Sequence, residues 1–270
     1  MPAAGPRDVG VGAGAGVVSG LFGVGGGLVL VPYLVLVRGW EQKHAQATAL
    51  VMVAMAATAG LVPYAWTGTV VWGAAAAVLV GGLLGAVVGS ALVKRLHSWV
   101  LQIAFAGLLF VAAVRLVTAP VPEAAGGVAA MTPGLVMAYV ASGLAMGILS
   151  ALFGIGGGIL LVPLLVAVFG YDQRLAAGTS LAVMGLIALV GALRQSGHGA
   201  TDWRAGALLG LGGAFGGVAG AMLAQVLPLT VLTWLFALLL VITAVRLARS
   251  GVKARRSAST QSVMRTGDTD

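Results

Sequence analysis

Long apolar runs separated by short polar or basic stretches fill this chain, with no strand-like alternation and no one-sided helical stripe organising them. Uninterrupted apolar runs of about 20 residues predict membrane-crossing helices. The predicted spans are 43–63, 69–93 and 98–118 in the first half and 174–194, 203–225 and 228–249 in the second. Two longer stretches, 9–38 and 133–169, are each interrupted by a run of glycines. Helix is the expected state throughout, because backbone N–H and C=O groups cannot stay unpaired against lipid.

The pattern is one unit written twice. GVVSGLFGVGGGLVLVPYLV from Gly16 recurs as GILSALFGIGGGILLVPLLV from Gly147, a shift of 131 positions. The same shift pairs Gln42 with Gln173, Thr48 with Thr179, Trp72 with Trp203 and Arg115 with Arg246 without a gap. Roughly four in ten residues match across the two copies, more than shared apolar composition produces. The expected organisation is a first transmembrane repeat at 9–118, a Pro- and Gly-containing linker at 119–132, a second repeat at 133–249, and a basic, disordered tail at 250–270.

The interrupted segments decide the architecture. Asp8 to Arg38 would make about 44 Å of straight helix, too long for one crossing, whereas each half around the Gly23–Gly27 run is only about 20 Å. A discontinuous helix that spans makes each copy cross four times and sets the copies parallel; a re-entrant one makes each copy cross three times and inverts them. Loop charge favours inversion. The spanning arrangement divides the 15 Lys and Arg residues into 10 and 5, the re-entrant arrangement into 13 and 2, with Arg115 and Arg174 as the minority. Lys94 and Arg95 face Gln225 and Val226 in the matching loop, while the uncharged turn 64–68 is matched by a loop flanked by Arg194 and Arg204. The fold class expected is an all-α polytopic membrane protein of two homologous repeats, each one Gly-broken helix plus three transmembrane helices. Inversion places both termini in the cytoplasm.

Composition narrows the functional class. Hydrophobic residues make up 60% of the chain and charged ones 8%, and the mean hydropathy is +1.06, which excludes an ordinary soluble domain. The net charge of +8 comes from span ends and the tail rather than a basic, aromatic face, so no nucleic-acid partner is expected. With no cysteine, no paired histidines and no carboxylate cluster, neither a metal nor another cofactor is expected. No phosphate-binding G-x-x-x-x-G-K-[ST] run is present, so the chain is not read as an ATP-driven engine or an enzyme. Its seven acidic residues fall in loops or at span ends, leaving no proton relay at membrane depth.

Candidate chemistry therefore rests on backbone. Each glycine run opens a short apolar helix whose first N–H groups lack intrahelical partners and whose dipole is positive at that end. At membrane depth that is an anion site without a charged side chain. Candidate substrate-binding residues are Gly23, Gly25, Gly26 and Gly27 with Gly154, Gly156, Gly157 and Gly158. Ser19 and Ser150 stand one turn before the runs, and Thr48, Thr179 and Ser180 lie on the next helices. A purely structural reading stands beside this, since membrane hydroxyls bond their own backbone and small residues serve tight crossings. Pro32 and Pro163 are read as kinks or hinges, and Gly81, Gly85, Gly89, Gly212, Gly216 and Gly220 as a helix-packing stripe. Gln42 and Gln173, being matched, are candidates for lining an entrance.

The paired S-x-L-F-G-x-G-G-G-x-x-x-V-P motifs and the Thr179-Ser180-Leu181 run resemble the TauE/SafE family of sulfite and organosulfonate exporters, over nearly all of Gly16–Arg249. The resemblance implies a multi-pass permease of a bacterial inner membrane for small sulfur-containing anions. Thr48-Ala49 departs from Thr179-Ser180 and breaks the symmetry of the hydroxyl donors. Two other readings stay open: a permease or channel for another solute or a cation, and a non-transporting membrane subunit or assembly factor. The oligomeric state is unspecified.

Overall fold

The computed structural model describes residues 6–92, 98–118, 131–153, 158–196 and 201–266. All regular structure among them is helical: α1 (Pro6–Phe22), α2 (Gly27–Leu36), α3 (Gln42–Trp66), α4 (Trp72–Leu92), α5 (Ser98–Thr118), α6 (Pro133–Phe153), α7 (Gly158–Phe169), α8 (Gln173–Ser196), α9 (Trp203–Val226) and α10 (Leu229–Thr266). The first residues of α2, α3, α4 and α5 recur 131 positions later as the first residues of α7, α8, α9 and α10. The helices α3, α8, α9 and the Leu229–Val252 part of α10 are each long and apolar enough to cross a membrane. Outward-facing Trp66, Trp72, Phe215 and Val226 are exposed, as lipid contact permits and water would penalise.

Glycines set how the two copies meet. On α1, Gly12, Gly16 and Gly20 lie against the backbones of Leu209, Gly213 and Gly217 on α9, and Gly212, Gly216 and Gly220 reciprocate against Val9, Ala13 and Val17. The same packing recurs between α4 and α6, with Gly81 against Val140, Gly85 against Leu144, and Gly143 and Gly147 against Val78 and Gly82. A Cβ at any of these contacts would overlap a carbonyl. Both pairs advance in step, so their helices run in the same direction. The surroundings of Gly89 lie outside the described residues.

The central pair runs the other way. Gly178, Gly185 and Gly191 on α8 face Tyr64, Thr58 and Leu50 on α3. Rising numbers on one helix meet falling numbers on the other, so these two repeat-equivalent helices are antiparallel.

Each interrupted segment closes on itself. Asp8, at the start of α1, is paired with Arg38, just after α2, at 3.1 Å. In the second copy the same positions are Tyr139 and Phe169, whose rings stack at 4.4 Å, and the Tyr139 and Tyr171 hydroxyls are hydrogen-bonded. The chain thus leaves along the first helix and returns along the second.

One expectation fails. The basic stretch after Arg249, expected to be disordered, continues α10 as helix as far as Thr266. After Gly251 it contains no further Gly or Pro before Thr266 and is rich in Ala, Arg and Lys, which are good helix formers.

Candidate functional site

At the first break, Gly23, Gly25 and Gly26 adopt φ of +71°, +81° and +64°, a left-handed conformation that residues with a Cβ rarely take. The Gly23 amide still bonds the Ser19 carbonyl at 2.8 Å, ending α1, and the Gly26 carbonyl accepts from Val29 and Leu30, beginning α2. Between them the amide N–H groups of Val24, Gly25 and Gly26 have no acceptor among the described residues. The whole run Gly23–Gly27 is buried. A buried unpaired N–H typically costs about 1–3 kcal/mol, so three in succession form a concentrated set of unmet donors.

The break sits at mid-height of the central helices. A Cβ at Gly26 would stand 3.2 Å from the tip of Met52, the eleventh of the 25 residues of α3. Gly25 lies against Val53 of α3 and Met184 of α8, which are repeat equivalents. The first residue of α7, Gly158, touches the same Met184 sulfur, and a Cβ there would stand 3.1 Å from the Gly23 carbonyl oxygen. One break therefore abuts the helix start that follows the other, with Met184 wedged between. Gly154, Gly156 and Gly157 lie outside the described residues, as does the side chain of Ser150.

Two carbonyls on the α1 side are taken. The Tyr64 hydroxyl donates to the Gly20 carbonyl at 2.9 Å, and the Ser180 hydroxyl donates to the Gly23 carbonyl at 2.8 Å. Ala49, the counterpart of Ser180, has no hydroxyl to do the same. Ser19 is fully buried and its Oγ has no partner. It lies one turn beyond Ala15, whose carbonyl oxygen would be 2.6 Å from a Cβ at Gly26, so the unpaired hydroxyl belongs to the wall around the break.

Thr48 and Thr179 lie elsewhere. The Asp202 backbone N–H donates to Thr48 Oγ1, and the Val71 backbone N–H to Thr179 Oγ1, both at 3.1 Å. They join the third helix of one copy to the start of the fourth helix of the other. Asp202 completes its own cap by accepting from the Ala205 amide at 3.0 Å.

Charge is kept away from the break. Asp8 is held by Arg38, and the Arg174 guanidinium donates to the carbonyls of Ala224 and Leu227 at the end of α9. No group of three potential metal ligands occurs among the described residues. Pro32 and Pro163 lie inside α2 and α7 and line two repeat-related grooves, of about 320 and 240 Å³, against α10 and α5. Both grooves lie on the flanks of the half-helices.

Met184 and Tyr64 are the residues that sequence reasoning misses. An apolar methionine in a span and a tyrosine at its end carry no signal by themselves; only the repeat register, which sets Met184 opposite Val53, hints at a central place.

A family model described as Sulfite exporter TauE/SafE matches residues 2–116 and 139–267. A "Probable membrane transporter protein" of Xylella fastidiosa (strain 9a5c) is 33% identical over 221 residues, covering 80% of this chain and 83% of the relative. "Probable membrane transporter protein YunE" of Bacillus subtilis (strain 168) is 24% identical over 264 residues, covering 88% and 95%. No solved structure matches the chain.

Proposed function

The chain belongs to the sulfite exporter TauE/SafE family of membrane transporters, and from that premise we propose that it exports small sulfur-containing anions, sulfite or organosulfonates, through the glycine breaks. One observation carries this reading: at the first break the carbonyls of Gly20 and Gly23 are bonded by Tyr64 and Ser180, while the N–H groups of Val24, Gly25 and Gly26 are left over. Three unsatisfied donors, beside two carbonyls that are already bonded, suit an anion better than a cation. The positive end of the α2 dipole adds to the same field. The unpaired Ser19 hydroxyl is a further donor, and Met184 is the flexible plug that closes the site on the Gly158 side.

The antiparallel α3 and α8, with the returning Asp8–Arg38 segment, support an inverted repeat whose two breaks meet near the bilayer midplane. In that arrangement 13 of the 15 basic side chains lie on one side, which the positive-inside rule makes cytoplasmic, together with both termini. The protein then resides in the inner membrane. A negative interior favours outward movement of an anion by about 2.3 kcal/mol per charge for each 100 mV, so export requires no coupling ion.

The test is flux of labelled sulfite and a labelled sulfonate from liposomes holding the purified protein. An interior-negative potential is expected to accelerate efflux. Efflux that is absent, or that follows a cation gradient instead, would overturn the proposal.

A further inference from the structure

Gln173, the first residue of α8, is 2% exposed, and neither its Oε1 nor its Nε2 has a hydrogen-bond partner. A buried carboxamide with nothing to bond is unfavourable, and its neighbours are not in that condition. Asp172 accepts from the amides of Arg174 and Leu175, and Arg174 bonds the end of α9.

Its place on the helix is specific. Residues 173, 177, 180 and 184 fall within one narrow face of an α-helix. The other three members of that face all touch the glycine breaks: Ala177 lies against Gly23, Ser180 donates to the Gly23 carbonyl, and Met184 lies against Gly25 and Gly158. Gln173 is one turn, about 6 Å, further out from the Ala177–Gly23 contact, between the break and the end where α8 begins. Its repeat counterpart Gln42 is exposed, so the matched residue has this sealed position in one copy only.

We propose that Gln173 is an outer anion subsite, whose Nε2 hydrogens donate to a sulfite or sulfonate oxygen between the break and the membrane face at which α8 starts. The inference rests on the anion-transport reading of the break. A neutral amide suits a way station: it offers two donors, yet holds the anion weakly enough to pass it on, as conduction requires. Arg174, beside it, is committed to carbonyls and so does not trap the anion.

The experiment measures concentration-dependent sulfonate and sulfite flux in liposomes for the wild type, Gln173→Leu, Gln173→Asn, Gln173→Glu and Gln42→Leu, with thermal melts of each in detergent. Gln173→Leu is expected to raise KM about tenfold, the loss of one hydrogen bond to a charged group, with Gln173→Asn intermediate and Gln42→Leu unchanged. Gln173→Glu is expected to lose nearly all flux at neutral pH and regain part of it as the carboxyl is protonated and becomes a donor. A Gln173→Leu protein with a higher melting temperature and wild-type KM would make the residue structural and overturn the proposal. So would Gln173→Glu flux that matches Gln173→Leu at every pH. Absent wild-type flux would instead remove the transport reading, and this inference with it.

Discussion

Thr48 Oγ1 accepts the Asp202 backbone N–H at 3.1 Å, and 131 residues further on Thr179 Oγ1 accepts the Val71 backbone N–H at the same distance. The two bonds are one interaction made twice, each copy capping the fourth helix of the other. Thr48→Val and Thr179→Val are each expected to lower stability by about 1 kcal/mol, as loss of a helix cap does. The two lie far apart, so the double variant is expected to be additive. Denaturation of the purified variants checks this, and Thr→Ser at either position is expected to recover most of the loss.

The Asp8–Arg38 pair occupies the positions that Tyr139 and Phe169 fill in the second copy. Asp8→Ala leaves Arg38 without its partner carboxylate in a largely buried setting and is expected to destabilise by about 3 kcal/mol. The double variant Asp8→Tyr, Arg38→Phe copies the aromatic solution and is expected to restore part of that loss in thermal melts. No recovery would mean that the two closures are not interchangeable.

Gly26 holds φ of +64°, and a Cβ there would stand 2.6 Å from the Ala15 carbonyl oxygen. Gly26→Leu is expected to abolish flux while the protein still inserts, as judged by membrane fractionation and liposome assay. Full activity would remove the break as the anion site.

Met184 fills the space between Gly25 and Gly158. Met184→Ala is expected to lower stability by about 2–4 kcal/mol and to raise flux, most for bulkier sulfonates. Unchanged flux and selectivity in a well-folded variant would show that the methionine is packing alone.

Inversion has its own measurement. Reporters fused at Ala125 and at the C-terminus are expected on opposite sides of the membrane; finding them on one side would restore the parallel arrangement.

The sequence by itself determined the duplication, the helical spans and the family resemblance, because an apolar run is a local property and a repeat is visible in the letters alone. It also marked the glycine breaks, since three left-handed positions in four residues require glycine. It favoured a return of the chain at those breaks only through the loop charges, because neither the length nor the composition of the segments themselves distinguishes a bent crossing from a return.

Only the tertiary structure brought Asp8 to Arg38, set α3 antiparallel to α8, and gave the Thr48 and Thr179 hydroxyls to helix starts rather than to the breaks. Only there do Gln173 and Ser19 stand out as unpaired while Met184 closes the centre. Hydrogen-bond satisfaction belongs to a pair of groups, and these pairs span from 30 to more than 150 residues of chain. No local pattern encodes such a meeting; packing in three dimensions does.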